Sequence, residues 1–275
     1  MSFNKRKHLG NDSGINSGRV GATQAPVGGL FDPLTLSPYL WNRAEDVTLS
    51  GSDIVQFTDL AGNGNYLKQD LPVGARPQQV DNVPGAPMTA KAAKFDGVNN
   101  RVYSHLDLGL ELVDYWELYV VSRYNTAEAN EFSIGTAGGN NGGRWYKQSN
   151  KLKVRNRDGG GNYENFVLDS INSPLYALHR TTKIDANNDP IPIAFTGFEH
   201  RLNIGATRTV EIPFNAGFWN DFQGNMIYGG SGGTPVVAQD FDGWLFDIML
   251  FKRRLTPQEE NNLICNYFNK KYAIF

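Results

Sequence analysis

Residues 241–272 read FDGWLFDIMLFKRRLTPQEENNLICNYFNKKY, and their reading decides the fold. Gly243–Phe251 is an apolar run broken by Asp247, of strand length and far short of the roughly 18 residues that cross a bilayer. Leu255–Tyr272 then changes to a helical pattern. Thr256 is an N-cap, Pro257 sits at the first helical position, and Glu259 at the third completes a capping box. Leu263, Ile264, Tyr267 and Phe268 share one face, so the helix is expected to lay that stripe on the edge or face of a sheet. Glu259 and Glu260 near its start and Lys270 and Lys271 near its end suit the helix dipole.

Outward from that segment the text is β. Trp116–Tyr124 (WELYVVSRY) is the strongest apolar strand. Asp53–Asp59 alternates and then breaks at AGNGN, and Lys94–Ser104 (KFDGVNNRVYS) is strand, turn, strand. Arg144–Arg155 holds two alternating runs about Ser149–Asn150, a hairpin signal. Phe132–Gly135, Tyr176–Lys183, Ile191–Phe198 and Gly224–Gly230 read as further strands. Short, evenly spaced strands without alternating helices favour an all-β sandwich over a parallel α/β sheet.

Composition agrees. Of 275 residues 30 are Gly, about 11% against a usual ~7%, and aromatics are 12%, the mixture of tight turns and pleated surfaces. Lys+Arg 26 against Asp+Glu 28 gives a net charge of -2, which excludes a globally basic nucleic-acid binder. Cys265 is the one cysteine, so no intrachain disulfide forms. Residues 1–37 differ from the rest. Met1–Gly29 carries Lys5, Arg6, Lys7 and Arg19 against Asp12, a local +3, with isolated apolar residues such as Phe3. Such a stretch buries too little surface to offset its ordering entropy. It is expected to be an extended arm that docks on a partner through Phe3, Lys5, Arg6, Lys7 and Arg19, followed by a folded domain over 38–275. It has no apolar signal region, so synthesis in a cytoplasm is expected. Five basic residues, counting His8, make a small footprint for nucleic acid.

Three markers resemble laminin-G-like, concanavalin A-like jelly-roll modules. The Trp-containing segment LSPYLWNRAEDVTLSGSDIVQFTDLAGNGNYLKQ ends in Phe57, Asp59 and Ala61–Asn65. KFDGVNNRVYS resembles that family's FDGxNDxV hairpin, and residues 241–272 resemble its closing strand and helix. One departure is that the family's acidic position in the last strand is Phe246, with Asp247 one place on. The resemblance spans roughly Tyr39 to Tyr272. It implies a concanavalin A-like jelly-roll β-sandwich with one C-terminal helix and an extended N-terminal arm. It leaves function open, since the family covers sugar-binding modules, adhesion modules, glycosidases and virion proteins. A non-secreted arm before such a module resembles tailed-phage structural proteins. The leading expectation is therefore a non-enzymatic virion component of capsid, neck or tail, anchored through the arm to other virion proteins. The alternative is a carbohydrate-binding adhesion module.

Chemistry-bearing patterns are few. A glycosidase of this fold would carry E-x-D-x-E on one strand, and the string is absent; Asp242 belongs to a turn signature, with Asp240 beside it. Gly229–Gly233 matches G-x-S-x-G, but Thr234-Pro235 follows where a nucleophile elbow needs a helix. Asp185, Asn187 and Asp189 have calcium-loop spacing, yet Pro190 replaces the loop glycine and Thr196 the bidentate Glu, which favours a hairpin turn and no cofactor, with calcium held by these three residues as the alternative. Sugar stacking would fall to Trp145, Trp219 and Tyr228, beside Gly/Asn-rich loops. The aromatics of the long loop expected over Thr207–Gly243 need burial, against this chain or a neighbouring copy.

Overall fold

The computed structural model describes residues 29–69, 76–98, 100–110, 115–125 and 241–275 in full; between 125 and 241 it describes strands, with side chains at 176–182 and 228. The strands, in chain order, are β1 (Leu40–Arg43), β2 (Val47–Ser50), β3 (Asp53–Phe57), β4 (Leu67–Lys68), β5 (Gln78–Val80), β6 (Ala92–Asp96), β7 (Val102–Ser104), β8 (Trp116–Tyr124) and β9 (Ala129–Ile134). They continue as β10 (Gly142–Gln148), β11 (Lys151–Arg157), β12 (Tyr163–Ser170), β13 (Leu175–Ile184), β14 (Phe195–Leu202), β15 (Arg208–Pro213), β16 (Met226–Tyr228) and β17 (Asp242–Phe251). A 3-10 turn, Pro33–Leu36, precedes them. The C-terminal helix follows as α1 (Pro257–Asn261), a π-helical stretch (Asn262–Phe268) and α2 (Asn269–Tyr272).

Every pairing is antiparallel. The first layer runs β15–β14–β13–β8–β17, with β6 on the first half of β17's far edge and β1 on the second. From β6 the ladder curls through β5, β3 and β4 into a second layer of β7, β16, β9, β10, β11 and β12. The layers close on a core of Trp116, Leu118, Val120, Leu245, Ile248 and Leu250 from one side and Ile54, Phe57, Leu67, Val102 and Tyr228 from the other. This is the expected all-β sandwich with one C-terminal helix.

A second core lies outside the first layer. Tyr119 and Val121 of β8 and Phe246, Met249 and Phe251 of β17 meet Leu263, Ile264, Tyr267, Phe268 and Tyr272 of the helix. Because β8 is buried on both faces, its sequence is apolar without alternation. Each large side chain buried on the helix stripe contributes roughly 1.5–3 kcal/mol. The capping box forms as expected: Thr256 Oγ1 accepts from Glu259 N, and Glu259 carboxylate accepts from Thr256 N at 2.8 Å. Arg253 then grips the same carboxylate at 2.8 and 2.9 Å.

A bulge in β17 explains the displaced acid. The register passes from Leu245 opposite Ser122 to Asp247 opposite Val121, so Phe246 and Asp247 both turn to the helix side.

Four expectations need correction. Residues 31–37 belong to the body: Leu36 is buried in the helix-side core, Phe31 N donates to Asn266 O at 3.1 Å, and Arg253 donates to Leu36 O. The strand expected over Ile191–Phe198 is β14, which runs on to Leu202, and residues 191–194 lie outside the described residues. The stretch Thr207–Gly243 contains β15 and β16. The helix is π-wound in its middle, where Asn269 N donates to Ile264 O. The Ser149–Asn150 hairpin holds, with Gln148 opposite Lys151. No helix among the described residues is long and apolar enough to cross a membrane.

Candidate functional site

The three sequence markers are structural devices. Asp59 accepts backbone N–H groups of Ala61 (3.1 Å), Gly64 (2.6 Å) and Asn65 (3.2 Å), folding AGNGN into a clasp. Gly62 and Gly64 both hold φ +75, which glycine alone takes without strain. The clasp then ties the start of β1: Asn63 donates to Pro38 O and Tyr39 O, and Asn65 to Tyr39 O. In the FDGVNN turn, Asp96 accepts from Val98 N and Asn100 Oδ1 accepts from Asp96 N, both at 2.9 Å. Asp242 accepts from the Asn125 amide at 3.1 Å. Its carboxylate is therefore engaged in holding a turn.

The charged groups of the interior are also committed. Asp247 is fully buried, with Oδ1 accepting from Trp41 Nε1 and Oδ2 from Tyr267 and Tyr272. Burial pushes its carboxyl up to about 6, partly offset by Lys271 and the tyrosine hydroxyls. Glu117, equally buried, accepts from Tyr119 (2.8 Å), Arg180 (3.4 Å) and Leu255 N (3.3 Å), and burial raises its pKa. Arg180 also pairs with Glu260 at 3.2 Å. These clusters fasten the helix to the first layer and offer no ligand a way in.

Among the described residues, a surface that can take a ligand lies over the clasp. A hollow of about 480 Å³ is lined by Leu34, Ser37, Pro38, Tyr39, Ala61, Asn63, Lys252 and Arg253. Its volume is that of small-ligand pockets, about 300–1,000 Å³. Leu34, Pro38, Ala61 and the half-buried ring of Tyr39 supply apolar wall; Ser37, Asn63 and Lys252 supply polar rim. Lys252 Nζ stands 3.7 Å from the Tyr39 ring centroid. Arg253 is spent on Glu259 and Leu36 O, which leaves Lys252, over the Tyr39 ring, as the rim cation without an acidic partner among the described residues. Ser37, on the rim, caps the 3-10 turn with φ +54. A second flat surface stands past the clasp: Tyr66 and the exposed His105 stack with centroids 4.5 Å apart and planes 10° apart.

Of the residues expected to bind sugar, Tyr228 is excluded. Its ring is 0% exposed, packed on Phe95 and Phe241 in the core, because β16 turns it inward beside Val102. Trp145 takes its place in β10 opposite Phe132, but its side chain lies outside the described residues, as do Trp219 and Asp240. Asp185, Asn187 and Asp189 of the calcium-spaced loop, and Phe3, Lys5, Arg6, Lys7 and Arg19 of the arm, also lie outside them. Among the described residues no three His, Cys, Asp or Glu side chains assemble as a metal site. The hollow has no single local signal because its walls come from three separate segments, 34–39, 61–63 and 252–253. The local signal available was the Gly-Asn clasp following a Tyr-Leu-Trp strand.

No protein-family model and no curated protein matches the chain. Solved structures do match. The binding domain of botulinum neurotoxin serotype C1 aligns with a TM-score of 0.54 at 12% identity, over 84% of this chain and 52% of that chain. Botulinum neurotoxin type C, whose cell entry depends on interaction with two ganglioside molecules, aligns at 0.51 and 12%, over 78% and 51%. The CBM40 of a Ruminococcus gnavus IT-sialidase aligns at 0.42 and 12%, over 56% and 84%. The chain thus spans about half the length of the toxin chains it matches. These neighbours are carbohydrate-binding and receptor-binding domains rather than catalytic ones, and at such identity the likeness is one of fold.

Proposed function

We propose that the chain is a non-catalytic glycan-binding module whose site is the hollow over the Asp59–Asn65 clasp. The mixed lining carries this reading. A pyranose offers an apolar CH face and a rim of hydroxyls, and the hollow offers Tyr39, Pro38 and Ala61 beside Ser37, Asn63 and Lys252. The ganglioside dependence of a toxin with this fold supports the ligand class. The test is a glycan array with the full chain and with Tyr39→Ala and Asn63→Ala, each checked for folding by circular dichroism. Saturable binding that weakens at least about tenfold in folded Tyr39→Ala is expected, since losing one stacked ring costs on the order of 1.4 kcal/mol. A folded variant that binds as well as the parent, or an array without a hit, overturns the reading.

A second reading concerns where the module works. We propose a virion of a tailed phage as its setting, with residues 1–28 as the docking segment and the body outward. The support is in the sequence: the laminin-G-like resemblance and the +3 charge of Met1–Gly29. Deletion of residues 2–28, leaving the packed segment 31–37 in place, is expected to abolish incorporation into particles. Normal incorporation of the truncated chain would end this reading and leave glycan binding untouched.

A further inference from the structure

The register sets four side chains in one row across the outer face of the first layer. Lys94 on β6, Trp244 on β17, Arg123 on β8 and Tyr176 on β13 are successive cross-strand partners. Directly opposed residues share a face. The row crosses the sheet where the C-terminal helix ends, and Tyr176 spends its hydroxyl on Tyr272 O at 2.7 Å.

Arg123 lies back along this row. Its Cζ stands 4.7 Å from the centroid of the Trp244 ring. Gly85 also approaches it closely: a Cβ there would sit 3.6 Å from both Nε and Nη2, and its φ of +73 keeps the position for glycine. Only 9% of Arg123 remains exposed. The guanidinium nevertheless forms no ion pair and no hydrogen bond among the described residues, and its nitrogens are not among the sealed polar atoms. The acids placed nearest by register, Asp242 and Asp96, sit opposite each other two residues along, and Asp242 is held by Asn125. Lys94, exposed on the other side of Trp244, has no acidic partner among the described residues either.

A nine-tenths-covered cation without a counter-charge is unusual, because covered charges are ordinarily paired. Here the indole and Gly85 both pack against the guanidinium, whose nitrogens are not sealed from solvent. A planar fork so held matches the two oxygens of an oxyanion. Burial lowers the Arg123 pKa, the direction a bound anion would reverse. We propose that Arg123, seated on Trp244 and seconded by Lys94 across two strands, is a receptor for an oxyanion group, carboxylate, sulfate or phosphate, carried by a ligand. This site is separate from the hollow and stands without the glycan reading.

The test uses the full chain labelled with nitrogen-15 and follows the arginine Nε–Hε signals. Sodium glucuronate, sodium sulfate and sodium phosphate are titrated in parallel against sodium chloride at matched ionic strength. One signal, absent from Arg123→Gln, is expected to shift saturably with at least one oxyanion, and the responding arm names the group. Lys94→Gln is expected to weaken that binding about three- to tenfold, the loss of one solvent-exposed charge contact. Shifts that are linear and equal to those in chloride, or saturable shifts that persist in Arg123→Gln, overturn the proposal. Should Arg123→Gln fail to fold, the exposed Lys94→Gln decides: unchanged affinity there counts against the site. Tyr39→Ala is expected to leave these titrations unchanged.

Discussion

Tyr267 and Tyr272, five residues apart on the C-terminal helix, donate their hydroxyls to the same oxygen of Asp247, at 2.7 and 2.9 Å. On an uninterrupted α-helix residues five apart point about 140° away from each other. Here both nevertheless reach one carboxylate oxygen of β17, from a helix that passes from the π-wound stretch Asn262–Phe268 into the α-helical turn Asn269–Tyr272 between them. The bulge at Phe246–Asp247 supplies the other half by aiming the carboxylate at them. Trp41 of β1 completes the set on Oδ1 at 3.2 Å, and Lys271 pairs with Glu45 close by. One buried acid thus joins the helix, the last strand and the first.

Asp247→Ala is expected to cost about 3–5 kcal/mol, because it leaves Trp41, Tyr267 and Tyr272 as buried donors without an acceptor. Urea denaturation at neutral pH measures it. A loss under about 1 kcal/mol would show that water replaces the carboxylate.

Stability is expected to fall between about pH 4 and pH 6 through this group. Burial raises the folded pKa of Asp247 from 3.8 to about 6. The folded chain therefore binds more protons than the unfolded one in that window, and stability drops as pH rises through it, then levels off. Two pKa units set the contribution at about 3 kcal/mol. Denaturation midpoints from pH 4 to 7 should show this slope flattened in Asp247→Asn; an identical slope in both proteins refutes the assignment. Glu259 works in the opposite sense. The Arg253 hydrogen bonds hold its carboxyl down to about 2, so its contribution is present above about pH 4.5 and is lost as pH falls toward 2.

Gly243→Ala is expected to destabilise by about 2 kcal/mol or more. A Cβ there would lie well inside contact distance of the Arg123 carbonyl and 2.7 Å from Phe241 Cζ, where backbone cannot yield. Gly51→Ala, with nothing within 4 Å but φ +66, should cost only its backbone strain, about 1 kcal/mol. Thermal melts of the two variants compare them, and equal losses would count against the packing explanation.

A chain starting at residue 38 is expected to melt below one starting at residue 30. The longer one keeps the Phe31–Asn266 and Arg253–Leu36 hydrogen bonds and the burial of Pro33 and Leu36. Losing the Leu36 side chain alone is worth roughly 1.5–3 kcal/mol. Equal melting temperatures would return residues 31–37 to the arm.

Much of the fold was legible because its signals are local. The Thr256–Glu259 box, the Ser149–Asn150 hairpin, the Gly-Asn clasp and the apolar strands β8 and β17 each announce themselves within a dozen residues, where capping, turn chemistry and periodicity act. Residues 31–37 were misread because their composition is turn-like, and Leu36 finds its burial against a helix more than 200 residues on. The candidate site was the least legible part. Tyr228, chosen for its glycine-rich surroundings, is core, whereas Tyr39 and Lys252, separated by over 200 positions, share a hollow.

By itself the chain's order of residues determined an all-β body closed by a capped helix, since each element is selected by forces acting between near neighbours. Only the tertiary structure decided which polar groups are spent and which remain open. Asp242, Asp247 and Glu259 look alike on paper, yet one holds a turn, one is sealed under two tyrosines, and one grips Arg253. Arg123 and Lys252 carry no local signal in the sequence, and both emerge without an acidic partner among the described residues. The reason is that burial and pairing depend on what the folded sheet brings across from distant segments, and no local pattern encodes that.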